Sequence, residues 1–210
     1  MKNLILSLLI ICTGAFSQEV PEFPTNRVND FHALKAWFSE APHTVANFEM
    51  TRTLPSGRSL KSRGTFEFRR GQGMMWRTEK PVRNAMVITP ENLSVYNSHG
   101  KLLRQTPLNG GAATRFTQAF TQEISVDFLR QMERAFDITT RADRETNTIV
   151  VGLKSKYESS DLKAMLLVVK NQILEHVYYE SARQGKTEVR FTNVRNAQLI
   201  PATPFNITGL

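Results

Sequence analysis

Cysteine is almost absent from the 210-residue sequence. The single cysteine, Cys12, lies in an N-terminal apolar stretch that we expect to be removed, so the mature chain would contain none. Without cysteine, the mature protein has no disulfide, no thiol nucleophile and no cysteine-ligated zinc site. Its stability must come from a packed core, and about 190 residues suffice for one sizeable domain.

Long apolar runs are also missing beyond the N-terminus, where no segment approaches the roughly 20 uninterrupted apolar residues of a membrane-spanning helix. The N-terminal stretch has a basic Lys2, an apolar run from Leu4 to Ile11, and small residues at Ala15 and Ser17. This is the pattern of a cleavable signal peptide, so we expect cleavage near Ser17 and secretion of a soluble protein.

Residues typical of catalysis or metal binding show no useful pattern. The four histidines, His32, His43, His99 and His176, have no pairwise spacing suited to a metal. The acidic residues form no acid/base pair, and there is no glycine-rich phosphate loop and no Gly-x-Ser-x-Gly motif. We therefore expect no metal, no cofactor and no catalytic residue, although catalytic groups can meet in space without a sequence signature.

Removal of a signal peptide at residues 1–17 leaves a single domain, residues 18–210, that is basic. The full sequence has 27 Lys and Arg and 19 Asp and Glu, so loss of Lys2 leaves 26 basic against 19 acidic residues, a net charge of +7. In a secreted protein this excess favours an anionic membrane surface or an acidic partner over nucleic acid, and we expect no nucleic-acid ligand. A solvated basic surface with no partner fits the composition equally well.

The mature domain begins with an extended leader and then a predicted helix over residues 31–40, in which Phe31, Leu34 and Trp37 recur at helical spacing. Pro42 ends this helix. From residue 46 the apolar period becomes two, which predicts β-strands. Predicted strands cover residues 46–51, 60–69, 74–78, 84–89, 93–97, 102–105, 134–141, 147–154, 162–170, 173–180 and 186–193.

A helical insertion interrupts the strands midway, with short helices predicted over Ala112–Phe120 and Val126–Met132. The last tract, Leu199 to Phe205, is expected to cross back as an edge segment. The fold class is therefore α+β, with one large antiparallel sheet of about eleven strands. A sheet of that size in one domain must curl, and the helices would lie against its concave face.

Arg70 follows an alternating strand pattern in which Phe66 and Phe68 share a face. If the strand continues, Arg70 lies on the apolar side and its five donors need partners, such as backbone carbonyls of a covering helix or loop. If the strand ends at Arg69, Arg70 lies in a turn and in water. The sequence leaves both alternatives open.

The segment from Gly64 to Pro81, with the residues just before and after it, resembles the LolA family of periplasmic carriers of outer-membrane lipoproteins. That family has a phenylalanine-centred first strand, a glycine with alternating aromatics leading to Arg-Pro, a tryptophan six residues past the arginine, and then a proline. The matching stretches are Phe48–Met50, Gly64, Phe66, Phe68, Arg70, Trp76, Pro81 and Val87–Asn97.

The resemblance implies an incomplete, strongly curved barrel closed by a lid of short helices, with an apolar cavity for acyl chains between them. The family's arginine that locks the lid through backbone carbonyls falls on Arg70. The aromatic position implicated in ligand handover falls on Met74. Alternation places the predicted cavity-lining residues on the concave side: Phe48, Met50, Phe66, Phe68, Met74 and Trp76. The residues expected on the opposite side are Thr65, Glu67 and Arg77.

The sequence departs from the family pattern at three positions. Gly71 replaces the proline after the arginine, Met75 replaces the polar or basic residue before the tryptophan, and Met50 replaces a glutamine after the first-strand phenylalanine. The chain is therefore expected to be a divergent member, and its sequence leaves three cargo classes open: a lipoprotein, a glycolipid intermediate or a free lipid.

The leading hypothesis is a monomeric periplasmic carrier of acylated lipoprotein or lipid cargo. Its implied partners are an inner-membrane donor protein and an outer-membrane acceptor protein, with transient contact at the membrane surface. The alternative is a lipid-sensing or anchoring module that stays bound to a partner protein. A third hypothesis, a secreted hydrolase of acylated substrates, predicts turnover of lipid esters by the purified protein.

Overall fold

The computed structural model describes Pro24 and residues 42–108, 132–158 and 160–207. These residues form one antiparallel sheet of eleven strands. The strands are β1 (His43–Thr53), β2 (Ser59–Arg69), β3 (Gly73–Lys80), β4 (Asn84–Ile88), β5 (Asn92–Asn97), β6 (Leu102–Pro107), β7 (Phe136–Asp143), β8 (Thr148–Ser155), β9 (Leu162–Lys170), β10 (Ile173–Ser181) and β11 (Gly185–Ala197).

Two meanders make up the sheet, which has the order β6-β5-β4-β3-β2-β1-β11-β10-β9-β8-β7. The first and last strands, β1 and β11, join the meanders at the centre of the sheet, with His43 opposite Ala197 and Thr53 opposite Lys186. Within the described residues, β6 and β7 are edge strands that do not pair with each other, so the sheet is not closed.

The eleven predicted strands are confirmed, with boundaries that differ by a few residues. The sheet is strongly curved. Its curvature is evident from β5 and β9, which are seven strands apart in the sheet order and yet line the same cavity. Residues 132–135 are helical, so β7 begins at Phe136 and not at 134. The signal peptide at 1–17, the helix at 31–40, the helix at Ala112–Phe120 and nearly all of the helix at Val126–Met132 lie outside the described residues.

Part of the core lies on the concave face of the second meander. Strands β7, β8 and β9 contribute buried apolar side chains, and the helical turn at residues 132–135 packs against them. Full burial of a Val, Leu, Phe or Met side chain stabilises a fold by roughly 1.5–3 kcal/mol relative to exposure. The cluster consists of Met132, Ala135, Phe136, Val151, Leu153, Leu162, Met165 and Leu167.

The prediction of an edge segment at Leu199–Phe205 is wrong. This part of the chain is irregular, with a bend at residues 202–203, and it is bonded to side chains of β2 and β3 on the convex face. Pro201 and Pro204 have no backbone N–H to donate to a strand ladder, which accounts for the absence of pairing. We call residues 198–207 the C-terminal segment.

Two glycines allow the first meander to pack closely. A Cβ atom at Gly64 would collide with the backbone carbonyl of Arg77, and one at Gly73 would collide with the carbonyl of Ile88. Gly73 also has a φ of 130°, which other residues rarely adopt. Gly64, which precedes the alternating aromatic residues of β2, is thus required where β2 approaches β3.

Candidate functional site

An apolar cavity of about 880 Å³ lies on the concave face of the sheet. Its volume is within the range of roughly 300–1,000 Å³ typical of ligand sites. The first meander contributes Ala46, Phe48, Met50, Phe66, Phe68, Met74, Trp76, Met86, Ile88, Leu93 and Val95. The second meander contributes Leu162, Met165, Leu174, Val177, Val189, Phe191 and Val194.

Four aromatic rings form the centre of the cavity wall. Trp76 lies 4.6 Å from Phe66 and 5.1 Å from Phe48 between ring centroids. Phe191 joins this cluster at 5.1 Å from Phe66 and 5.7 Å from Trp76. These are the tilted and edge-to-face arrangements that aromatic rings prefer, so the wall is held in shape by its own packing.

All six residues predicted to line a cavity do so. Phe48, Phe68 and Met74 are buried, and the other three are half-buried with part of their surface toward the cavity. The structure brings them together because even-numbered positions of β1, β2 and β3 share one face, with Phe66 opposite Trp76 and Phe68 opposite Met74. Whether they bind a ligand is taken up as a proposal below.

Sequence reasoning did not identify the half of the cavity that comes from the second meander. Its most prominent members, Val189 and Phe191, alternate with Glu188 and Arg190 along β11. That alternation was available in the sequence as a signal. What it could not show was the pairing of Phe191 with Phe48, which brings β11 beside β1 across a separation of more than a hundred residues.

Arg70 lies in the turn after β2, because the strand ends at Arg69. It is half-buried, and its backbone N–H donates to the carbonyl of Pro42 at 2.8 Å. The turn continues through Gly71, which has a φ of 74°. The segments expected to form the lid lie outside the described residues, so the lid-locking role of Arg70 remains a prediction.

The neighbouring Arg69 is the buried arginine, with only 5% of its side chain exposed. Its Nε donates to Glu67 Oε1 at 2.7 Å and its Nη1 donates to the carbonyl of Thr203 at 2.5 Å. Its guanidinium also lies 4.4 Å from the centre of the Phe205 ring. Glu67 accepts a second bond from His43 Nε2 at 3.0 Å.

This network lies on the convex face, opposite the cavity, together with Thr65 and Arg77 as predicted. Arg77 Nη2 donates to the carbonyl of Asn206, and Gln72 Nε2 donates to that of Pro201 at 3.4 Å. The convex-face arginines thus hold the C-terminal segment against β2 and β3. Their role is structural and does not involve the cavity.

A second polar group lies further along the convex face, where His176 stacks on Tyr178 with ring planes 10° apart. Burial, with a smaller contribution from Arg190, lowers the pKa of His176 below the usual value of 6.5. Burial and the nearby Glu188 raise the pKa of Tyr178 above 10.0. Both rings are therefore neutral near pH 7.

In residues 42–108, 132–158 and 160–207, no group of three or more His, Cys, Asp or Glu side chains could hold a metal ion. The same part of the chain contains no helix with the length and apolar character needed to cross a bilayer.

The family model described as outer membrane lipoprotein carrier protein LolA matches residues 39–208. No curated protein matches the sequence. Among solved structures, a LolA superfamily protein from Nitrosomonas europaea is 9% identical, with a TM-score of 0.42, over 82% of this chain and 96% of its own. A putative outer membrane lipoprotein-sorting protein domain from Vibrio parahaemolyticus is 9% identical, with a TM-score of 0.40, over 82% of this chain and 94% of its own.

The MucA/MucB complex of Pseudomonas aeruginosa includes a chain that is 10% identical, with a TM-score of 0.41, over 81% of this chain and 59% of its own. At such low identity and TM-score, these structures do not bear on the cargo or partners of this protein. The family model covers most of the sequence, and its match begins and ends close to the limits of the described sheet. The chain therefore belongs to the LolA family, as a divergent member.

Proposed function

We propose that this protein is a periplasmic carrier that binds the acyl chains of a lipoprotein, or of a related lipidic cargo, in the concave cavity and transfers them toward the outer membrane. The observation that carries the proposal is the 880 Å³ cavity with its aromatic and methionine-rich wall. Along β1 alone the lining runs from Thr44 to Arg52, about 27 Å at roughly 3.4 Å per residue.

The energetics suit reversible binding of a long chain. Each CH₂ group moved from water into an apolar site contributes about 0.8 kcal/mol, so one long acyl chain offers roughly 10 kcal/mol. A carrier must offset part of this to release its cargo. We assign that role to closure of a lid by Arg70, which competes with bound chains for the cavity.

We further infer that residues 1–17 are a signal peptide and that residues 18–210 act as one domain in the periplasm. The apolar N-terminal run after Lys2 supports this proposal. N-terminal sequencing of the protein recovered from periplasmic extract should begin near Gln18. A mature chain that still begins at Met1 would contradict the proposed compartment.

The carrier function is tested by loading the mature protein with a fluorescent triacylated lipopeptide and following its transfer to outer-membrane vesicles. Val95 faces the cavity and Thr51 faces the opposite side. Val95→Glu places a carboxylate where the chains should lie and should weaken loading at least tenfold, whereas Thr51→Glu adds the same charge elsewhere and should leave loading unchanged.

Two further arms of this assay separate the alternatives. Chelator treatment should change neither loading nor transfer, since no metal takes part in the proposed mechanism. The carrier should be recovered from native extract as a free monomer, whereas a sensing or anchoring module would be recovered in a stable complex. Equal loading of the Val95→Glu and Thr51→Glu variants would rule out the cavity as the binding site.

A further inference from the structure

The cavity is not apolar throughout, because one end of it is polar and cationic. This end lies where β1 finishes and β2 begins, and it opens to solvent beside Leu60 and Val82, which are 42% and 68% exposed. The polar side chains that line this end are those of Arg52, Ser59, Ser62, Thr78, Asn84 and Gln184.

Arg52 is the residue at this end that most requires a partner. It lies on the cavity side of β1, directly opposite Thr187 of β11. Within the described part of the chain, Arg52 Nε and Thr187 Oγ1 are both buried and neither has a hydrogen-bond partner. A buried polar atom without a partner is unfavourable, and native structures rarely leave two of them side by side unless a ligand, ion or water completes them.

Local charge favours a negative ligand. The carboxylate that lines this cavity is Asp161, whereas Lys61 pairs with Thr51 and therefore has its side chain on the opposite face of β2. Asp161 Oδ1 already accepts bonds from Ser181 Oγ at 3.1 Å and from the backbone N–H of Arg183 at 3.2 Å. It lies beyond β11 and β10, just before β9, and outside the row of paired residues that runs from Arg52 through Thr187 and Tyr179 to Met165.

We propose that Arg52 binds the oxyanion of a lipid headgroup whose hydrocarbon chain lies against the aromatic wall formed by Phe48, Phe66, Trp76 and Phe191. The positions agree with this arrangement, since Phe48 lies four residues before Arg52 on the same face, about 13 Å deeper in the cavity. The headgroup would remain at the solvent-exposed mouth. A guanidinium can donate two parallel hydrogen bonds to a carboxylate or phosphate. A neutral headgroup lacks the charged pair of oxygens that accepts them.

This inference rests on the proposed acyl-binding function and narrows the cargo class. The chains of a lipoprotein are attached through uncharged ester and amide groups, so they supply no oxyanion at this position. An anionic lipid, either a fatty acid or a lipid with a phosphate group, would satisfy Arg52. The property that tests this inference is the affinity for a charged lipid relative to an uncharged lipid of the same chain length.

The experiment compares a fluorescent polyene fatty acid with its methyl ester at pH 8, using the mature protein and fluorescence titration. The wild type should bind the acid about tenfold more tightly than the ester. Arg52→Gln should abolish this preference and leave ester affinity unchanged, and Arg52→Lys should keep part of it. Arg58→Gln removes an equal charge from the exposed β1–β2 turn and should retain the full preference.

Each outcome has one meaning. Equal affinity of the wild type for acid and ester would overturn the proposed headgroup site but not the proposed acyl cavity. This comparison uses the wild-type protein alone, so it does not depend on whether a variant folds. Binding of neither probe would instead contradict the proposed function. Inorganic phosphate alone should not displace the fatty acid, and displacement would show a free-anion site in place of a lipid headgroup site.

Discussion

The adjacent arginines Arg69 and Arg70 provide a matched pair of substitutions that should change different properties. Replacement of Arg69 should lower stability, and replacement of Arg70 should slow cargo transfer. Arg69→Leu removes the bonds to Glu67 and to the Thr203 carbonyl, and the contact with Phe205. Breaking a buried charged pair costs about 3–5 kcal/mol. Because Glu67 retains its bond from His43, we expect the lower value, about 3 kcal/mol.

For a domain of this size, 1 kcal/mol corresponds to about 2–4 °C in Tm. Arg69→Leu should therefore lower Tm by about 6–12 °C while leaving acyl-probe affinity at moderate temperature unchanged. Arg70→Leu alters a half-buried turn residue, and a substitution at such a site should cost less than about 1 kcal/mol. Its effect should appear in cargo transfer, which should slow about tenfold if closure loses about 1.4 kcal/mol.

Both variants are measured by thermal unfolding and by transfer of loaded cargo to an acceptor. The reasoning about Arg69 fails if its variant melts within about 2 °C of the wild type, since about 3 kcal/mol of lost interaction could not then exist. The lid hypothesis fails separately if a folded Arg70→Leu protein transfers cargo at the wild-type rate. In that case the turn position of Arg70 has no role in closure.

Trp76 in the cavity wall and His176 on the convex face provide two other predictions. Trp76→Ala removes the ring shared by three aromatic neighbours in the cavity wall, so affinity for an uncharged acyl ester should fall about tenfold; unchanged affinity would place the ligand elsewhere. The pKa of His176 in the folded protein lies below 6.5, so the unfolded chain binds a proton at this residue more readily than the folded chain does. Wild-type stability should therefore fall as the pH drops from about 6.5 toward the pKa of His176 in the folded protein. His176→Gln should show a shallower decline in denaturant titrations across that window, and an identical decline would exclude this contribution.

The strands and the first half of the cavity could be predicted because their signal is local. Alternation of apolar and polar residues fixes which face of a strand a side chain occupies, and that rule placed Phe48, Phe66 and Trp76 correctly without knowledge of pairing. Turn signals then separated the strands. These local signals suffice for the sheet because consecutive strands pair with one another throughout both meanders.

The identity of the buried arginine could not be predicted, because it depends on contacts remote in sequence. The alternation pattern continued through Arg70, but the strand ends one residue earlier, where Arg69 is held by Thr203, 134 positions along the chain. The prolines of the C-terminal segment excluded strand pairing without indicating which face the segment would cross. The polar end of the cavity was missed for the same reason, because Arg52 and Thr187 become neighbours only through the β1–β11 pairing.

A sheet whose concave face lines an open cavity obtains part of its stability from its other face. Here the convex side of β3 and β4 buries Met75, Ala85 and Val87, which are 5%, 0% and 8% exposed, although an exposed strand face would normally carry polar residues there. The C-terminal segment is bonded to this same face through Arg69 and Arg77. The convex side of the first meander is thus stabilised separately from the concave side, which holds the core of the second meander and the proposed ligand cavity. This separation explains why substitutions in the cavity and on the convex side of the first meander should affect binding and unfolding independently.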